Sequence, residues 1–333
     1  MSAVPAGLVD RFGRVHRDLR VSLTDRCNLR CAYCMPADGL DWLPGPDLLT
    51  VAEIVRVVGI GTQLGITEVR LTGGEPLLRP DIVEIVARLA DLPRAPHLSV
   101  TTNGLRLAAL AAPLVGAGLA RVNVSCDTLR PETFRRLTLR DRLGEVLAGI
   151  AAARDAGLAP VKVNAVLMRG INDDEAPALL GWALAEGVHL RFVEQMPLDP
   201  QHGWNRAMMV TRTEILDTLV AAGFRLEAVS ARGSAPAEEF RVDGGSGTVG
   251  IVGSVTQPFC GSCDRVRLTA EGQLRACLFA HREADLRGLL RAGADDARIA
   301  EAIVGEVAGK QPGHGIDEPA FRQPARPMSA IGG

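Results

Sequence analysis

Up to about residue 225, this chain of 333 residues repeats one unit, a short strand-like run followed by an amphipathic helical stretch. The strand-like runs fall at 19–24, 67–72, 97–102, 121–126, 161–168 and 189–195. Helix starts are marked between them. Thr50-Val51-Ala52-Glu53 has capping-box spacing, and Thr211 with Glu214 repeats it before 213–222. Pro80 suits the first turn of a helix over 81–91. Such alternation implies parallel strands joined by right-handed crossovers. Six units can make an open or partial barrel.

The strands carry polar residues at alternate positions. Leu19, Val21 and Leu23 alternate with Arg20, Ser22 and Thr24, and Val69 and Leu71 with Arg70 and Thr72. Leu98 and Val100 alternate with Ser99 and Thr101, and Val122 and Val124 with Asn123 and Ser125. Val161, Val163 and Ala165 alternate with Lys162 and Asn164. A strand's side chains point to opposite faces with period two. The apolar set belongs beneath the helices, and the polar set faces the barrel interior. A closed eight-stranded barrel fills its interior with branched apolar side chains. A polar interior instead implies a wide cavity holding a ligand, with Arg20, Arg70, Lys162 and Arg191 pointing into it. Buried cations need partners. Few acids share that face, so the natural partner is a polyanion such as a nucleoside triphosphate. Internal salt bridges are the other reading.

Apolar residues make up 47% and charged residues 23%, which permits a sizeable core and excludes wholesale disorder. The net charge of -2 argues against a nucleic-acid coat protein. Only Lys162 and Lys310 are lysines, every other basic side chain being arginine, as GC-rich codon usage would give. The longest apolar stretch, Leu107 to Ala120, is broken by Pro113 and too short to cross a bilayer. Asp10 and Arg11 interrupt any signal-peptide core, so a cytoplasmic location is expected. Thiols stay reduced there, and the seven cysteines suit metal binding better than a disulfide framework. Beyond residue 229, positions 230–247 read as a loop, 248–256 and 265–276 as β-like runs, and 284–308 as helical. Pro and Gly accumulate from Gln311 on.

Six cysteines form two triads. Cys27, Cys31 and Cys34 directly follow the first strand, at the barrel end where active sites sit. Three thiolates in eight residues can hold three corners of a [4Fe–4S] cube, leaving one iron to bind a small molecule. Zinc would want a fourth ligand, and the nearest histidine, His16, precedes the strand. This loop resembles the signature of the radical S-adenosylmethionine (SAM) enzymes, with Tyr33 at the aromatic position before the last cysteine. Gly73-Gly74-Glu75-Pro76, after the second strand, is similar to the segment that holds the SAM amino group in that family. The second triad is Cys260, Cys263 and Cys277, with His281 four positions further on. That spacing alone leaves zinc open. Arg265 and Arg267, two apart on a predicted strand, project from one face beside it. They read better as anion ligands next to an iron with an open site.

Together these segments resemble the GTP 3′,8-cyclase family of molybdenum cofactor biosynthesis, the MoaA family. The resemblance covers nearly the whole chain. It includes Arg17-Asp18-Leu19-Arg20, Thr24-Asp25-Arg26-Cys27, Thr72-Gly73-Gly74-Glu75-Pro76, Thr101-Thr102-Asn103-Gly104 and Asn123-Val124-Ser125. It continues through Val161-Lys162-Val163-Asn164, Gly170-Ile171-Asn172-Asp173, Arg191-Phe192-Val193-Glu194 and the second triad to Ile331-Gly332-Gly333. Cys126 departs from the aliphatic residue usual there.

The resemblance implies an α/β fold: a partial (β/α)6 TIM-like barrel, the radical SAM core, over 1–229. A smaller C-terminal α+β region over 230–333 carries a second cluster. It implies that Cys27, Cys31 and Cys34 bind the [4Fe–4S] cluster that chelates SAM, and that Tyr33, Gly74, Ser125 and Met196 contact SAM. Cys260, Cys263 and Cys277 then bind a second [4Fe–4S] cluster whose open iron meets guanine. Arg20, Arg70, Thr101, Lys162, Arg265 and Arg267 contact GTP, with Arg191 added from the strand pattern. The implied reaction starts with a 5′-deoxyadenosyl radical removing the 3′ hydrogen of GTP. C3′ adds to C8, and reduction gives (8S)-3′,8-cyclo-7,8-dihydroguanosine 5′-triphosphate. Arg20, Arg265, Arg267 and the tail residues Gly332 and Gly333 form the expected catalytic set. Expected partners are a flavodoxin- or ferredoxin-like electron donor and a downstream cyclic pyranopterin monophosphate synthase. A homodimer is left open, and neither nucleic acid nor membrane is expected. The alternatives are another radical SAM enzyme with an auxiliary cluster, and a zinc-containing RNA-binding module.

Overall fold

The structure, a computed structural model, describes residues 7–229 and 232–332. A small antiparallel hairpin, β1 (Leu8–Val9) with β2 (Val15–His16), opens the described chain. All six expected strands follow: β3 (Asp18–Ser22), β4 (Glu68–Thr72), β5 (His97–Thr102), β6 (Arg121–Ser125), β7 (Val161–Val166) and β8 (His189–Val193). They pair in chain order, every neighbour parallel. β7 stops short of the expected 168 because Asp127 takes the Val166 N–H and Asn172 takes that of Met168.

The crossovers are helical. α1 (Val51–Gln63) starts at Thr50 with both halves of its capping box formed. Pro80 sits just before Asp81, the N-cap of α2 (Ile82–Ala90), rather than in the first turn. α3 (Leu107–Gly116), α4 (Pro131–Thr138), α5 (Leu143–Asp155) and α6 (Ala176–Glu186) complete the set. α7 (Arg212–Ala221) begins with the Thr211 capping box. The core lies between sheet and helices. It packs Val21, Val69, Val100, Val122, Val163 and Leu190 against helix residues such as Ile54, Ile85 and Leu114, all fully buried. No helix among the described residues is long and apolar enough to cross a membrane.

The C-terminal part extends both edges of the same sheet. β11 (Thr248–Val252) joins β8 in parallel and is followed outward by β10 (Glu238–Val242) and β9 (Leu226–Ala228), both antiparallel. β12 (Arg265–Leu268) joins β3 in parallel, followed by β13 (Gln273–Arg275) and β14 (Ala284–Asp285). The result is one twelve-stranded sheet. Residues 230–247 are thus not simply a loop, since β10 lies inside them. Only Phe240 and Val242 of that strand are buried apolar residues, too few to stand out among Glu238, Glu239 and Arg241. The expected run 265–276 is a hairpin, turned at Gly272 with φ +83°. α8 (Leu286–Arg291) and α9 (Asp296–Ala308) pack near α1, and a short α10 (Met328–Ile331) ends the described chain.

Candidate active site

The register stacks charge across neighbouring strands. Arg267 of β12 lies opposite Arg20 of β3, and Arg20 lies opposite Arg70 of β4. Like charges directly opposite are destabilising, so this row implies an anion. These arginines line a cavity of about 350 Å³ together with Arg191 and Arg265. Arg191 comes from β8, so both flanks of the parallel array reach one cavity and the sheet curves around it.

The cations are poorly neutralised. Arg20 Nε and Arg267 Nε are buried without a hydrogen-bond partner. Arg265 Nε lies 3.7 Å from Asp18 Oδ2. Arg191 donates to Asn164 and Asn123, both neutral, at 3.0 Å each. Burial, then Arg70, pushes Arg20 well below the usual arginine range. Burial and Arg265 bring Arg267 down to about 10. Burial and Arg70 bring Arg191 to about 9. Burial raises the Asp18 carboxyl, but the arginines, Arg20 first, outweigh it and lower it.

The first triad lies in a loop tied down by backbone bonds. Arg30 N–H donates to Thr138 O at 3.0 Å and Ala32 N–H to Leu137 O at 2.9 Å. Burial raises the Cys27, Cys31 and Cys34 thiols, Cys34 to about 12. Asn103 Nδ2 lies 3.8 Å from Cys27 Sγ and donates to Asn28 Oδ1 at 2.7 Å. The Tyr33 hydroxyl donates to Asp127 Oδ2 at 2.7 Å. The glycine turn after β4 approaches this loop so closely that a Cβ on Gly74 would run into the Asp25 and Arg26 carbonyls. Glu75 fixes the turn, accepting from Thr102 Oγ1 (2.7 Å), Asn103 N (2.7 Å) and Leu77 N (2.9 Å). Burial raises Glu75 to about 6, and Asp127 likewise.

The second triad lines the same cavity. Its approach is set by Glu194, fully buried, which accepts from Val255 N at 2.8 Å and Thr256 N at 2.9 Å. Arg14, from the N-terminal hairpin, donates to Cys260 O at 2.7 Å. Lys310 Nζ lies 3.6 Å from Cys263 Sγ. Burial raises Cys263, but Lys310 and then Arg265 outweigh it, and the thiol is lowered.

Three thiols are the donor set of a cube with an open corner, and among the described residues no three His, Cys, Asp or Glu side chains are grouped to hold a single metal ion. His281 is exposed and does not line the cavity. His314 does, but its Nε2 faces Ser254 O at 3.0 Å and its Nδ1 accepts from Ile316 N at 3.1 Å. Neither histidine completes the second triad, and the three thiols of each triad are a donor set that suits iron–sulfur ligation.

Of the residues singled out from sequence, all six triad cysteines line the cavity, with Arg20, Arg70, Arg191, Arg265, Arg267, Thr101, Tyr33, Gly74, Ser125 and Met196. Met196 does so from beyond β8, where strand alternation has ended. Lys162 lies on the cavity face of β7 but outside the lining; burial, then Arg191, lowers it to about 8. Gly332 is buried, and a Cβ there would sit 2.5 Å from Thr72 Oγ1 and 3.0 Å from Ser22 Cβ, both on the polar strand parity. Gly333 lies outside the described residues. Sequence reasoning missed Asn103, Asp127, Glu194, Lys310 and Phe259, whose ring lines the cavity with the Arg265 guanidinium 4.7 Å from its centroid. Asn103 stands in a segment already singled out, and Lys310 is one of two lysines.

A thiol loop at the end of the first of six parallel strands defines a class, and the comparisons agree. The Radical SAM superfamily model matches residues 21–183, and the Molybdenum Cofactor Synthesis C model matches 188–316. Crystal structures of Streptococcus suis SuiB share the fold. The SAM-bound form has a TM-score of 0.59 at 12% identity, covering 90% of this chain and 68% of that one. The form bound to precursor peptide SuiA has 0.61 at 13%, covering 90% and 69%. The GTP 3′,8-cyclase of Streptomyces coelicolor is 60% identical over 329 residues, 98% of this chain and 96% of the relative. That of Mycobacterium sp. (strain KMS) is 55% identical, covering 98% and 93%. The chain belongs to the GTP 3′,8-cyclase family, within the radical SAM superfamily.

Proposed function

We propose that this chain converts GTP to (8S)-3′,8-cyclo-7,8-dihydroguanosine 5′-triphosphate, the first step of molybdenum cofactor biosynthesis. One observation carries the reading: two thiol triads and five arginines line a single cavity. The curved open sheet reads as a partial (β/α)6 barrel over 1–229, continued by a C-terminal unit over 230–333.

Cys27, Cys31 and Cys34 hold the [4Fe–4S] cluster that binds SAM, with Tyr33, Gly74, Ser125 and Met196 against SAM. Cys260, Cys263 and Cys277 hold the second cluster at the guanine. When bound, the first cluster and SAM supply hydrogen-abstracting one-electron chemistry, directed at the 3′ hydrogen of GTP so that C3′ closes onto C8. The protein's own work is binding and orientation. Arg20, Arg70, Arg191, Arg265 and Arg267, with Thr101 and Lys162, hold the triphosphate through charge-assisted, often bidentate bonds. A triphosphate also relieves the repulsion in the Arg267–Arg20–Arg70 row. Fixing C3′ near C8 turns binding energy into a lower barrier. Gly332 and Gly333 complete the site, and at Gly332 the close approach to Ser22 and Thr72 admits no side chain.

The cavity chemistry needs a cytoplasmic one-electron donor of flavodoxin or ferredoxin type. It also needs a downstream synthase that takes the cyclised nucleotide to cyclic pyranopterin monophosphate. A homodimer is compatible with this reading. Anaerobic incubation of the reconstituted protein with GTP, SAM and dithionite tests it. The expected products are the cyclised nucleotide and 5′-deoxyadenosine. An unchanged nucleotide at full iron content would overturn the reading.

A further inference from the structure

The chain has two lysines, and both lie near the cavity, Lys310 buried and Lys162 half-buried. A lysine offers a compact ammonium where an arginine would bring a broad planar fork. Lys310 is 3% exposed. Its Nζ donates to Arg265 O at 2.8 Å and Cys263 O at 3.2 Å, and lies 3.6 Å from Cys263 Sγ. His16 Nδ1 is 3.5 Å away. An ammonium has three protons to give, and four acceptors surround this one: the two carbonyls take one proton each, and the ring nitrogen and the sulfur share the third. The one neighbour able to carry negative charge is the sulfur.

The N-terminal hairpin braces this arrangement. His16 Nε2 is 3.0 Å from Asp10 Oδ2. An ionised carboxylate only accepts, so Nε2 carries the proton and Nδ1 turns its lone pair to Lys310. Arg14 Nε donates to the same Asp10 oxygen at 2.5 Å, and its other nitrogens donate to Cys260 O and Gln311 O at 2.7 Å each. Asp10, Arg14 and His16 thus hold both the ammonium and the thiol loop it serves. Around the first triad Arg30 donates to the Cys27 carbonyl at 2.8 Å, but the side-chain donors at its sulfurs are neutral, the Asn103 amide at Cys27 and the Tyr33 hydroxyl at Cys31.

We infer that Lys310 is a positioning residue for the second cluster, donating to Cys263 Sγ and holding that cluster's reduction potential above the value it would otherwise have. The inference rests on the reading of Cys260, Cys263 and Cys277 as cluster ligands. One-electron reduction by dithionite adds one negative charge to the cluster and moves no proton. A buried cation and a donor at the sulfur both favour the reduced form.

The test uses the full chain, reconstituted anaerobically and without GTP. Iron and sulfide are counted, and each cluster's midpoint potential is read by electron paramagnetic resonance during a dithionite titration. In Lys310→Met the second cluster's potential shifts negative; in Lys310→Gln, which keeps a neutral donor, it shifts less in the same direction. The first cluster's potential stays in place in both. An unmoved second potential at full iron overturns the inference. So does loss of that cluster's iron in both variants, which would make Lys310 mere scaffold. If the parent protein itself holds one cluster, the ligand reading fails, and the iron count shows this before any variant is made.

Discussion

The two triads open onto one cavity from different electrostatic surroundings. Around Cys27, Cys31 and Cys34 stand the Asn103 amide, the Tyr33 hydroxyl, the Arg30 guanidinium at the Cys27 carbonyl and the raised carboxyls of Glu75 and Asp127, and burial raises all three thiols. Around Cys263 stand Lys310, Arg265 and Arg267, and that thiol is lowered against its burial, while burial raises its neighbour Cys260. Their assembly differs as well. The first triad comes from one loop of eight residues. The second is gathered from the entry to β12 and the exit of β13, and is braced by a hairpin some 250 residues earlier in the chain. A site built from one loop is suited to a single task, which under the proposed function is holding SAM. A site assembled from distant segments can be adjusted to its substrate, and its cationic shell suits a triphosphate.

That contrast can be broken by removing one ligand from each triad. Cys31→Ala should abolish both SAM cleavage and GTP conversion, on the order of 10⁴-fold or more. Cys263→Ala should lose GTP conversion to a similar degree while still forming 5′-deoxyadenosine slowly. Chromatography of nucleoside products distinguishes them, and identical behaviour would end the division of labour. Deleting Gly332 and Gly333 comes next in size. Turnover should be lost while iron and sulfide stay at the parent level, and full activity would show that the tail has no role.

A smaller effect sharpens the electrostatic side. Arg267 faces Arg20 with its Nε unpartnered, so Arg267→Met should weaken GTP binding by about 2–4 kcal/mol. It should also raise the melting temperature of the GTP-free protein, because a site poised for a ligand costs stability. Calorimetry reads both, and a fall in melting temperature would show that the arginine row is structurally neutralised.

The smallest effect concerns the first triad's shell. Asp127 is raised by burial from 3.8 to about 6. The folded state therefore binds the proton more tightly than the unfolded state between those values, and stability falls as pH rises through that window. The stability of the parent relative to Asp127→Asn should decline by roughly 3 kcal/mol at most between about pH 4 and pH 6 and then level off. Denaturant unfolding at stepped pH measures it. A difference that rises with pH would mean that the carboxylate is stabilised as an anion.

Locality also explains what the sequence revealed. Strand parity, read from alternation alone, put Arg20, Arg70, Thr101 and Arg191 on the cavity face, because period-two geometry is a property of five or six consecutive residues. The capping boxes at Thr50 and Thr211 are equally local, and both form. β10 was illegible because its partners β9 and β11 create it, while its own composition is charged and sparse in apolar residues. The Lys310–His16–Asp10 network was illegible for the same reason, since its members lie 294 and 6 residues apart. The lysine count marked one end of it without revealing the rest.

The central claim is that SAM and GTP share one cavity, with the GTP ribose turned toward the first triad. GTP deuterated at C3′ tests this directly, read by mass spectrometry of the 5′-deoxyadenosine formed under anaerobic turnover. The account predicts deuterium in that product, in step with cyclised nucleotide and dependent on both triads. Unlabelled 5′-deoxyadenosine alongside cyclised GTP would contradict it.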